Sequence, residues 1–357
     1  MVYFTEKKIK GKKYLYAVHS VRPGKGGVLK ISKRVDKREI TPALQDYFTK
    51  KEGELRTGAA LEMFETNSVF TREQIVKIEK TRQEYRKIIL KLTKKQLQDL
   101  FDRFTVNFTY ESNALEGNSL TLKDVAIVFF EGKVPDGTDL REVYETRNSR
   151  GVVGLILKKK FKVKEKDTIK MHEMLVKDME IETGYKKIPN FLLGRDVETT
   201  PPEKVGREMK ALIEWFGGEK KMHPLQKAAL FHGKFEKIHP FDDGNGRVGR
   251  FLINVALVNA GYAPLIIRKS QRTAYLKCLQ DYDNGYTTNL ERFMLDKYKK
   301  TFKKFFGVYV KYLSGNPTEN KTKKCTLRRP LGSIKDARGI AKGVSTANLR
   351  DESERFG

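Results

Sequence analysis

Residues 238–250 read IHPFDDGNGRVGR, from Ile238 to Arg250. Two helical patterns flank this stretch. Upstream, Leu225, Ala228, Phe231 or His232, and Phe235 are spaced to share one face, which predicts a helix from Leu225 to Ile238. Downstream, Val248, Phe251, Leu252 and Val255 repeat at helical spacing, which predicts a buried helix beginning near Asn245. Between them Gly244-Asn245-Gly246 can take backbone angles closed to most residues. Its N–H groups can converge into a nest, and the following helix adds its free N-terminal donors. Such a cradle suits a polyphosphate. Arg247 and Arg250 lie one turn apart and can offer forked donors to phosphate oxygens. Asp243 is a carboxylate placed to hold Mg²⁺ against those phosphates. His239 is placed to take a proton from an attacking hydroxyl. The chemistry this constellation suits is transfer of a phosphate-containing group from a nucleotide to a hydroxyl.

Working outward, most of the chain reads as helix. Ile75, Ile78, Tyr85 and Ile89 start a helical pattern near Thr71, and a second helix is expected over Lys94 to Thr109. Thr121 and Asp124 form a capping-box pattern before an apolar run ending at Phe130. Further helices are expected over Leu140 to Leu157 and Asp167 to Met179. Gly184 to Thr200 breaks the pattern as a loop or β-hairpin. Periodicity resumes at Pro201, with Val205, Met209, Leu212, Ile213 and Phe216 on one face and Gly217-Gly218 at the end. At least one more helix follows Gly261, through Phe306.

The ends differ from this middle. Residues 1 to about 65 read as a small basic β-rich module, with β-favouring runs at Lys13–Val18 and Val28–Ile31 around a turn at Gly24 to Gly27. Over residues 1–60, 15 Lys and Arg stand against 6 Asp and Glu, so this module is the place to look for a nucleic-acid surface. Residues 313–357 are basic, poor in aromatics and expected to be a flexible tail. The expected organisation is therefore 1–65 accessory module, 66–182 helical region, 183–312 catalytic core and 313–357 tail.

The chain has 357 residues and a formal net charge of +27. Scattered lysines make this mostly a solvated basic surface; no zinc-finger spacing, RNP signature or repeat is present. Two cysteines, Cys278 and Cys325, cannot build a disulfide framework, which points to a reducing, cytoplasmic compartment. The most apolar window, Phe251 to Ile267, is interrupted by Asn254, Asn259, Gly261 and Pro264, so no membrane span is expected. His172, His223 and His232 stand without spaced metal-ligand partners and read as structural; His19 belongs to the basic module and Trp215 to a helix core.

The stretch from His239 to Arg250 closely resembles the Fic family signature, His-Pro-Phe-x-Asp/Glu-Gly-Asn-Gly-Arg-x-x-Arg, at all its specified positions. The order of helices extends the resemblance over roughly residues 70 to 310. It implies a mainly α Fic-type helical bundle with a short β-hairpin flap at 184–200. It implies protein adenylylation: AMP passes from ATP to a Ser, Thr or Tyr hydroxyl of a protein target, the chain itself included, and pyrophosphate leaves. By resemblance His239 is the base and Asp243 the Mg²⁺ ligand. Gly244, Asn245 and Gly246 line the anion hole, Arg247 and Arg250 bind the β- and γ-phosphates, and Phe241 anchors the loop. Doc-like kinases of the family carry Lys where this chain has Gly246, so the adenylylating orientation is expected here. Upstream, Ser112-Asn-Ala-Leu-Glu-Gly117 fits the family's inhibitory motif. It implies a short helix near 111–117, with Ser112 and Glu116 on one face and Gly117 after its end, that pairs Glu116 with Arg250. Two other readings stay open: removal of AMP from a modified protein by the same site, and a nucleic-acid-associated regulator that uses the fold. The resemblance also allows a homodimer.

Overall fold

A computed structural model describes residues 2–23, 27–190 and 198–313. The expected turn at 24–27 lies outside these residues except for Gly27, the expected flap lies outside them over 191–197, and the expected tail lies outside them after Leu313.

The N-terminal strands β1 (Val2–Ile9), β2 (Lys12–Val21) and β3 (Leu29–Arg34) form an antiparallel sheet in the order β1-β2-β3. Lys10 (φ 49°) and Gly11 (φ 77°) join β1 to β2. Both are left-handed, as a tight two-residue hairpin turn requires. Ala17, Val21 and Ile31 on one face of the sheet pack against Leu44 and Phe48 of α1 (Pro42–Met63). The second half of the supposed β-rich module is therefore a 22-residue helix. Its start is marked by the Thr41 hydroxyl accepting from Leu44 N–H at 3.2 Å and by Pro42 in the first turn. Its weak amphipathicity is why periodicity alone does not reveal it.

The helical part comprises α2 (Arg72–Lys91), α3 (Lys94–Leu115), α4 (Leu122–Phe130), α5 (Leu140–Leu157) and α6 (Glu165–Leu175). Next come α7 (Pro202–Gly218), α8 (Pro224–Ile238) and α9 (Asn245–Asn259). A 3₁₀ turn at Lys269–Gln271 leads into α10 (Arg272–Asp283), α11 (Thr287–Thr301), a π turn at Phe302–Phe306 and α12 (Gly307–Leu313). The architecture is thus mainly α with a small N-terminal sheet. Thr121 and Asp124 make the expected capping box, and Thr93 with Gln96 makes a second at the start of α3. The helix expected to end at Thr109 runs on to Leu115, because Ala114 and Leu115 keep burying apolar surface beyond that point.

Helix α9 is the axis of the core. Val248, Phe251, Leu252, Ile253, Val255 and Leu257 are all at most 1% exposed, so the helix is covered on nearly every side. Each such apolar side chain contributes about 1.5–3 kcal/mol on burial. Helix α8 packs along α9, and the loop joining them is held at one end of the pair. Glycines set how close the helices come. A Cβ on Gly249 would lie 2.6 Å from Glu236 Oε1 and 2.9 Å from the His232 ring, both on α8. Among the described residues no helix is long and apolar enough to cross a membrane.

Candidate active site

The loop between α8 and α9 is braced before it does any chemistry. His239 ends α8 with φ 51° and ψ 63°, a left-handed conformation uncommon for a residue with a Cβ. Pro240 follows and bars continuation of the helix. Phe241 is fully buried. The Asn245 carboxamide bonds both backbone groups of Phe241, donating to its C=O at 2.6 Å and accepting from its N–H at 2.9 Å. The Asn245 side chain is therefore a loop brace, and only its backbone is available to an anion hole. Gly244 caps α9 in the left-handed region (φ 78°), and no side chain caps the helix there. The first N–H groups of α9 are left to face an anion.

A second brace comes from a residue read as merely structural. The ring of His172, on α6, stacks parallel on Phe241 with centroids 3.9 Å apart. Its Nε2 lies 3.1 Å from the Asp243 C=O, and because a carbonyl only accepts, Nε2 carries the proton. Burial, helped by the charge of Arg247, pushes its pKa down to about 4, with the Asp243 carbonyl opposing. His172 is a neutral donor at neutral pH. His223 caps α8 through Nδ1, and His232 bonds Tyr275 at 2.7 Å, so these two do hold the frame. His19 bonds Glu52 in the N-terminal module, and Trp215 packs half-buried on the core.

The charged residues form two groups. Arg250 is buried (3% exposed). Its Nε donates to Ser112 Oγ at 3.0 Å, and its Nη2 to the Ser112 C=O at 2.8 Å. Nη2 also lies 2.7 Å from Glu116 Oε1. Burial works against the Arg250 charge, and Glu116 together with Tyr275 and Glu236 more than offsets it, so its pKa is raised. The motif at 112–117 is the last turn of α3 rather than a separate short helix. Glu116 is its C-cap and Gly117 follows with φ 104°. Gly246 is the residue that lets Glu116 in. A Cβ there would overlap the Glu116 carboxylate and stand 2.9 Å from Arg250 Nη1.

The other group joins Asp243, Arg247 and two residues of α5. Arg247 is buried, with Nη1 3.3 Å from Glu145 Oε1 and Nη2 3.6 Å from Asp243 Oδ2. Asp243 Oδ2 also pairs with Arg141 Nη2, and its Oδ1 accepts from Gly244 N–H. Arg141 and Glu145 carry no motif signal, because they stand about a hundred residues upstream. Asp243 is 43% exposed beside the uncapped helix. An oxygen ligand of this kind fits Mg²⁺, a hard cation that usually takes one or two carboxylates and fills its shell with phosphate and water. Among the described residues no group of three His, Cys, Asp or Glu could hold a metal by itself.

The feet of the expected flap are tied to the same loop. Lys186 N–H donates to the Pro240 C=O at 2.8 Å, and Asn190 donates to the Phe241 C=O at 2.9 Å. Lys186 Nζ bonds Asn190 Oδ1 and Thr199 Oγ1, at 2.7 and 2.9 Å, joining the two feet. Burial lowers the pKa of that ammonium to about 8.

Comparison with known proteins agrees with this geometry. The family model described as the Fic/DOC family matches residues 162–257. Protein adenylyltransferase Fic of Drosophila grimshawi is 32% identical over 198 residues, covering 54% of this chain and 41% of that protein. Protein adenylyltransferase fic-1 of Caenorhabditis elegans is 26% identical over 208 residues, covering 56% and 41%. The chain thus spans about two fifths of the length of these curated relatives. Among solved structures, a Fic domain containing signaling protein from Bacteroides thetaiotaomicron superposes with a TM-score of 0.60 at 24% identity, covering 69% of this chain and 99% of that one. A Fic family protein from Desulfovibrio desulfuricans gives a TM-score of 0.57 at 25% identity, covering 69% and 77%. The helices that frame the loop and the sequence that fills it lead to one conclusion: residues 162–257 match the Fic/DOC family model, and the surrounding fold is similar to that of solved Fic proteins.

Proposed function

We propose that the chain is a protein adenylyltransferase that moves AMP from ATP to a Ser, Thr or Tyr hydroxyl of a protein, and that Glu116 holds it back. One observation carries the reading. A single loop brings a histidine, a carboxylate, an uncapped helix N-terminus and two buried arginines to one place. The names of the curated relatives support it.

In this reading His239 takes the proton of the target hydroxyl as its oxygen bonds to the α-phosphorus. The bond from that phosphorus to the bridging oxygen breaks, and pyrophosphate leaves with the electron pair. The first N–H groups of α9, Arg247 and Arg250 take up the negative charge of the phosphates. Asp243 would hold Mg²⁺, which supplies charge neutralisation across the phosphates when bound. Arg141, which pairs with Asp243, would have to release it for that role.

Glu116 obstructs the same site. It pairs with Nη2 of Arg250, which also donates to the Ser112 C=O, and lies against Gly246, while the Ser112 hydroxyl accepts from Nε. A γ-phosphate reaches Arg250 only when Glu116 leaves. Glu116 is 40% exposed and can swing out without unfolding α3. A hydrogen bond between charged groups is worth about 1.5–3 kcal/mol before solvent screening of this half-exposed partner. Glu116→Gly should therefore raise AMP transfer by about ten- to a hundredfold.

The test is intact-mass spectrometry after incubation with ATP and Mg²⁺. Glu116→Gly should gain AMP adducts that wild type gains slowly. Adding His239→Ala should cut the rate by about 10²- to 10⁴-fold while ATP still binds. Equal labelling of wild type and Glu116→Gly would remove the inhibitory role. An adduct of one phosphate would mean that the nucleotide lies in the kinase orientation.

A further inference from the structure

Away from the nucleotide site, the strongest unassigned surface is the outer face of the N-terminal sheet. Thr5 pairs with Tyr16, Lys7 with Tyr14, and Tyr16 in turn with Arg34. Strand alternation then places Lys7, Lys12, Tyr14, Tyr16, Lys30 and Arg34 on the face opposite α1. The four basic residues are exposed. Among the described residues of these strands Glu6 is the only acidic one; it belongs to the other face and is paired with Arg38 at 3.1 Å. The cations are also organised. The Arg34 guanidinium stacks over the Tyr14 ring at 4.1 Å and the Lys7 ammonium over Tyr16 at 5.0 Å, both across strands. Stacking on a sheet holds these long side chains in place and lowers the entropy lost when they meet an anion.

We propose that this face docks in the major groove of duplex DNA. The charge is of one sign, as a phosphate-lined groove requires. Neighbouring strand axes lie about 4.8 Å apart, and a B-form major groove of about 12 Å admits a two-stranded ribbon, so two adjacent strands enter it while the third faces the phosphates at its edge. The major groove of duplex RNA is too deep and narrow for such a sheet. The rings of Tyr14 and Tyr16 are already covered by cations, so they are not open platforms for single-strand stacking. The surface lies outside the Fic/DOC domain at 162–257 and does not depend on the reading of that site.

The experiment is fluorescence anisotropy of a labelled DNA duplex of about two helical turns with the full chain, at salt from about 50 to 200 mM. Lys7→Glu/Arg34→Glu should weaken binding at least about tenfold, and the slope of log K against log salt should fall by about 2. The milder Lys7→Gln/Arg34→Gln, checked for wild-type circular dichroism and Tm, should weaken it in the same direction. Lys94→Glu/Lys95→Glu, at the exposed start of α3, changes the net charge equally and should weaken binding less than about threefold. Equal loss in both Glu pairs would assign binding to overall charge and overturn the proposal. So would no binding by wild type, an unchanged Lys7/Arg34 pair, or tighter binding to an RNA duplex, a single strand or phosphatidylserine vesicles.

Discussion

At Gly246 a side chain is excluded by a residue 130 positions upstream in the chain. The Glu116 carboxylate fills the space a Cβ would take. Gly246→Ala should therefore cost about 1–3 kcal/mol of stability in wild type and measurably less in a Glu116→Gly background. Urea unfolding of the four proteins of this cycle measures the difference, and a zero coupling would place Glu116 elsewhere. His172 supplies a pH signature. Its folded pKa, about 4, lies below the unfolded value of about 6.5. Between these values the unfolded chain takes up a proton that the folded one refuses. The stabilisation is complete above pH 6.5 and is lost as pH falls toward 4, by about 2 kcal/mol at pH 5. Burial lowers the pKa of His223 as well, so that residue adds in the same sense. Unfolding at pH 7.5 and 5 should show a smaller difference in His172→Gln than in wild type.

At the scale of elements, the geometry of the loop depends on how closely α8 and α9 approach. Gly249 makes that approach possible, and its neighbours cannot yield, since His232 is bonded to Tyr275 in the core. Gly249→Ala should destabilise by about 1–3 kcal/mol and lower AMP transfer in the Glu116→Gly background. Gly206→Ala on α7 faces open space and is the control; it should be neutral or stabilise by about 0.4–1 kcal/mol. Thermal melts and mass spectrometry distinguish the two. The bounds of α5 and α8 and the start of α9 were legible from the sequence, because helix periodicity and its punctuation act within a turn or two. Helix α1 was not legible: its apolar positions serve two small clusters, one under the sheet and one around Phe64, so no single stripe forms.

Across the whole molecule, α2 is fastened to the start of α8 and to the segment after α9 through one buried carboxylate. Glu79 accepts from the Tyr262 hydroxyl and from Arg82 Nη1 at 3.2 Å, and His223 Nε2 lies 3.5 Å away. Because His223 Nδ1 accepts from Leu225 N–H, its proton is on Nε2 and faces Glu79. Burial works to raise the Glu79 pKa, yet the pull of these three partners keeps it below the ordinary carboxylate value. Arg82 continues the tie, donating to the Ala260 C=O at 2.8 Å. Glu79→Ala should cost about 3–5 kcal/mol, and Glu79→Gln less, because the amide still accepts. Denaturant midpoints of the two variants give the comparison.

What the sequence by itself determined is local: the helices flanking Ile238–Arg250, the glycine-bearing turn and the charged and polar residues that the motif brings to it. Tertiary structure decided which of those residues are already engaged. Arg250 meets Ser112 and Glu116, Asp243 meets Arg141, Arg247 meets Glu145, and Phe241 meets His172. Each of these pairs joins residues far apart in the chain. The spacing rules of a helix or turn reach only a few residues, and a partner that distant is chosen by how α3, α5 and α6 pack around α9.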